Sequence, residues 1–111
     1  MVDVFERLDG YVSSEPSLHE LMSTTRALLG QARRIAGGDL DIEVLDEGKG
    51  PSRLPSREVA QRLVSIMAPL PPLEATEDPS LIAGYAALLG GLAGNITHLI
   101  YRDFPDLVPR R

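Results

Sequence analysis

The chain has 111 residues, no cysteine and a formal net charge of −5, with 43% hydrophobic and 24% charged residues. That length suits one domain with a single core, and the balance is that of a globular chain rather than a disordered one. Without thiols there is no disulfide framework and no thiolate zinc site. The basic residues are scattered, adjacent only at Arg33-Arg34 and Arg110-Arg111, which argues against nucleic acid as a partner.

Aromatic residues are few, so the core must be built from aliphatic side chains, as in small helical bundles. Lys49 is the lone lysine, a bias toward arginine that fits GC-rich coding better than a need for planar contacts. The N-terminal "MVDVFERLDG" mixes acids with apolar residues and lacks the basic-then-apolar order of a secretory signal, so the expected location is cytoplasmic.

Val4, Leu8, Tyr11 and Val12 share one helical face, which predicts a short amphipathic helix over 2–12 ending near Gly10. After "SSEPS", Ser17 stands three residues before Glu20, the capping-box spacing, and Leu18, Met22, Thr25, Leu29, Ala32 and Ile35 recur at helical intervals. Arg33 and Arg34 complement the dipole of the last turn, and Gly37-Gly38 stops the helix.

In "DLDIEVLDEGKG" the period changes to two. Leu40, Ile42 and Val44 alternate with Asp41 and Glu43, which predicts a short β-like excursion at 40–45. There is no second good strand, since "PSRLPS" is short and carries prolines. The excursion is therefore expected to pair weakly with 51–54, to stay extended, or to pair with another chain.

Ser56 caps a third helix after Pro55, with Val59, Leu63, Ile66, Met67 and Leu70 on its apolar side. "PLPPLEATEDP" reads as a stiff acidic connector. Asp78 as N-cap and Pro79 at the first helical position open a fourth helix, ended by Pro105. The fold class is thus all-α: three long helices plus a short N-terminal one in a single domain over 1–104, followed by a proline-containing tail over 105–111.

The fourth helix contains "LIAGYAALLGGLAGNITHLIY", residues 81–101, with no acid, lysine or arginine. It is long enough to cross a bilayer, but Gly, Asn, Thr and His crowd its second half and weaken insertion. Gly91, Asn95, His98 and Arg102 form one polar stripe, expected to be the wet or partner-facing side of a helix in a soluble bundle. Ala86, Gly90 and Gly94 recur every four residues. Glycine inside a helix costs about 1 kcal/mol against alanine, and close approach of another helix would offset that. An intramolecular neighbour is the simpler expectation, and an interface between chains the more specific one.

Few constellations point to chemistry. His19 and His98 are far apart in the chain, and neither belongs to a His-x-x-x-His pair, so no metal site is expected. Asp39, Asp41 and Glu43 begin like a calcium loop, but Val44 and Gly50 stand where such a loop needs glycine and glutamate. Those acids read as a solvated face able to steer a basic partner. There is no nucleophile elbow and no phosphate loop, and Asn95-Ile96-Thr97 matches a glycosylation sequon without a signal to go with it.

The expected function is a non-catalytic protein–protein interaction module: a small subunit, adaptor or regulator working through a helical surface, as a homodimer or with another protein. Its interface candidates are Ala86, Gly90 and Gly94 on the fourth helix and Leu40, Ile42 and Val44 on the excursion. No cofactor, nucleic acid or membrane is expected. The alternative is a small-molecule or anion pocket, or a minor enzyme, around Asn95, His98 and Arg102.

Overall fold

A computed structural model describes residues 2–42, 45, 51, 53–70 and 77–107. Helix α1 spans Val2–Ser14, a 3₁₀ turn spans Pro16–Leu21, and α2 follows over Met22–Ala36. Helix α3 is Arg57–Met67. The fourth helical rod consists of α4 (Pro79–Leu92), a π-helical turn (Ala93–Thr97) and α5 (His98–Asp103), and a 3₁₀ turn follows at Pro105–Leu107. The result is a compact all-α bundle of four helices, with no strand among the described residues.

Helix α1 runs straight through Gly10 and buries Val4, Phe5, Leu8 and Val12. Phe5, outside the stripe seen in the sequence, is fully enclosed, because a core-facing stripe is wider than one residue per turn. Two ion pairs tie its exposed side to α2, Arg26 to Asp9 at 3.5 Å and Arg33 to Glu6 at 3.3 Å. Such solvent-exposed pairs contribute about 1 kcal/mol or less.

The capping box at Ser17 and Glu20 does not form. Glu15 caps instead, its Oε1 accepting from the Ser17 N–H at 3.4 Å and from the Ser17 Oγ at 2.7 Å. Pro16 fixes the first φ of a 3₁₀ turn, so α2 starts only at Met22. Helix α2 ends as expected at the glycines. Gly38 is left-handed (φ +88°), the Asp39 N–H reaches the Arg34 carbonyl at 2.8 Å, and the Gly38 N–H reaches that of Ile35 at 3.0 Å, a Schellman closure.

The β-like excursion is corrected at this point. Residues 40–42 and 45 form no strand, while Glu43 and Val44 lie outside the described residues. Local bonds absorb the backbone groups a ladder would need. The Asp41 N–H donates to Asp39 Oδ1 at 3.0 Å, and the Asp41 carbonyl accepts from Arg34, whose Nε also donates to Asp39 Oδ2 at 3.0 Å. Leu40 remains 36% exposed, whereas Ile42 and Leu45 pack partly against the core.

Ser56 caps α3 by accepting from the Val59 N–H, and Asp78 caps α4 by accepting from the Ser80 N–H at 2.9 Å. The Leu54 N–H donates to Asp103 Oδ2 at 3.1 Å, and Arg57 pairs with Asp106. These contacts fasten the end of the rod to the start of α3. The stiff connector falls largely outside the described residues, and so do positions 108–111 of the tail.

Candidate functional site

The rod carries most of the residues singled out in the sequence. Pro79–Asp103 is 25 residues long and apolar enough to span a bilayer by length and composition, a test that the core helix of a soluble protein passes equally. Its contacts with α2 set its rotation. A Cβ on Gly84 would meet Leu40 Cδ2 at 2.8 Å and Ile35 Cγ1 at 3.4 Å, and one on Gly91 would meet Leu28 Cδ2 at 3.3 Å. As α4 ascends from 84 to 91, its partners on α2 descend from Ile35 to Leu28, so the two helices are antiparallel and close at both glycines.

This rotation divides the polar stripe and takes Ala86 and Gly90 away from α2. Gly91 and Asn95, half of the stripe read as wet, are buried, Asn95 to 1% exposure. Ala86 and Gly90 face outward, and nothing lies within 4 Å of a Cβ placed on Gly90. Gly94 is half-buried. The close intramolecular approach occurs at Gly84 and Gly91, one register away from the strip the spacing pointed to.

Asn95 also explains the π-helical turn. Its Nδ2 donates to the Gly91 carbonyl at 2.8 Å, taking the acceptor that the backbone N–H of residue 95 would use in an α-helix. The ladder widens over Ala93–Thr97, and the His98 N–H reaches back five residues to the Ala93 carbonyl. Asn95 Oδ1 and His98 Nδ1 are both buried without a hydrogen-bond partner. Arg102 is exposed on the same rod and donates from Nε to Asp103 Oδ1 at 3.0 Å.

The three candidate ligand residues therefore stand in three environments: a sealed helix seam, a half-buried position and the surface. Asn95 already gives one of its two Nδ2 hydrogens to the Gly91 carbonyl, and its buried Oδ1 is an acceptor, the wrong polarity for an anion. His19 is exposed in its 3₁₀ turn, and among the described residues no group of three or more acids and histidines could hold a metal ion.

Two features of the surface were not anticipated. A polar cleft between α1 and α3 is lined by Tyr11, Glu15, Glu58, Gln61, Arg62 and Ser65. There the Arg62 guanidinium lies 5.9 Å from the Tyr11 ring centroid, and burial, reinforced by Glu15, raises the Tyr11 pKa. A shallow apolar cleft lies between the end of α3 and the π-turn, lined by Val64, Met67, Leu70, Leu92, Ile100 and Tyr101. Tyr101, 46% exposed, forms its rim. Its place at the end of a long charge-free run was the one available signal in the sequence.

Outside the seam, the rod turns an unusually smooth side to solvent. Ala83, Ala86, Gly90 and Ala93 are exposed, and no charged residue interrupts the chain from Pro79 to Tyr101. No protein-family model, curated protein or solved structure matches this chain.

Proposed function

We propose that this protein is a non-catalytic interaction module, a small subunit, adaptor or regulator that docks through the outer face of its fourth helix. One observation carries the reading: Ala83, Ala86, Gly90 and Ala93 are exposed on a helix with no charge for six turns. A helix whose outer side meets only water normally displays charged residues there, and one lacking them is built to be covered. Bare Cα positions also let a second helix approach closely enough for continuous dispersion contact. The partner is a protein with a similarly uncharged helical face, either a second copy of this chain or a different subunit. A cytoplasmic location belongs to the same proposal.

The test is Gly90→Arg, which introduces bulk and charge where nothing lies within 4 Å of the new Cβ. Light scattering across a concentration series reads self-association, and co-purification from the native host reads a different partner. The expected result is that the variant melts like the parent and loses the association. A parent that stays monomeric and retains no protein sensitive to Gly90→Arg overturns the proposal.

A pocket around Asn95, His98 and Arg102 has one observation in its favour, two buried polar atoms without partners, Asn95 Oδ1 and His98 Nδ1. Asn95 Oδ1 calls for a donor and His98 Nδ1 for a donor or an acceptor, which a water molecule or a small neutral guest could supply. Stabilisation by a metabolite in a thermal-shift screen, abolished by His98→Ala, would favour this reading over the docking face.

A further inference from the structure

We draw no further inference here: the strongest candidate, the exposed charge-free face of the fourth helix together with the shallow apolar cleft beside Tyr101, already belongs to the proposed docking surface, and nothing in the structure shows what covers it.

Discussion

Gly90 and Gly91 are neighbours in the chain with opposite environments, and substitution should separate them by sign. At Gly90 an added methyl meets open space, so Gly90→Ala should gain about 0.5–1 kcal/mol of stability from helix propensity alone. At Gly91 the methyl already presses on Leu28, which is fully buried and cannot swing aside, so Gly91→Leu should cost about 1–3 kcal/mol by overpacking. Thermal melting of the two variants checks the rotation of the whole rod, and destabilisation by Gly90→Ala would mean that α4 is turned differently. Asn95 gives a second test. Leucine in its place removes the unpaired Oδ1 and returns the Gly91 carbonyl to the backbone N–H of residue 95, so Asn95→Leu should straighten the π-turn and be neutral or stabilising by up to about 1 kcal/mol. A marked loss of stability would show that Oδ1 has a donor in solution, which is what the pocket reading requires.

At the scale of elements, legibility followed the range of the interactions involved. Ser56, Asp78-Pro79 and Gly37-Gly38 act within one turn of themselves, and each caps or stops its helix as its type and spacing predict. The capping box failed because Pro16 and Glu15, also local, competed for the same helix start. No strand forms at 40–42 or 45, where the Arg34 side chain, reaching forward from the last turn of α2, supplies bonds that an alternating pattern cannot reveal. Which glycines of the fourth helix meet α2 was hidden for a further reason. A long apolar stretch with small residues on several sides carries little periodic signal, so contact with α2 decides which glycines are enclosed. The acid at the end of this rod has a pH consequence. Asp103 accepts from Arg102 and from the Leu54 N–H, and both lower its pKa from 3.8. A depressed carboxyl pKa means stability that is present above pH 3.8 and lost as pH falls through the lower folded value. Asp103→Asn should therefore lower the urea midpoint at pH 7 and flatten its decline on the acid side of 3.8, since the group that titrates there is gone. An unchanged acid limb would mean that the link between Leu54 and the rod contributes nothing.

For the molecule as a whole, the distribution of charge and apolar surface makes the last prediction. The acidic excess resides on α1 and in the segments between helices, α2 and α3 are net positive, and the fourth helix from Pro79 to Tyr101 carries no charge. Two environments could cover such a side, a bilayer or another protein. A helix that crossed a bilayer would have to leave the bundle, in which this rod encloses Tyr85, Leu88, Leu92, Ile96 and Leu99. Extracting it would empty the core beneath α2, which is why the proposed cover is a protein partner. The chain should accordingly remain in the supernatant after high-speed centrifugation without detergent. Gly90→Arg should stay there too, with its melting temperature within a few degrees of the parent but its association lost. Sedimentation with membranes that Gly90→Arg abolishes would instead assign the same face to lipid. Association that survives in Gly90→Arg would move the interface off the fourth helix. The polar Tyr11–Arg62 cleft between α1 and α3 would then be the next surface to vary, with Arg62→Glu reversing its central charge.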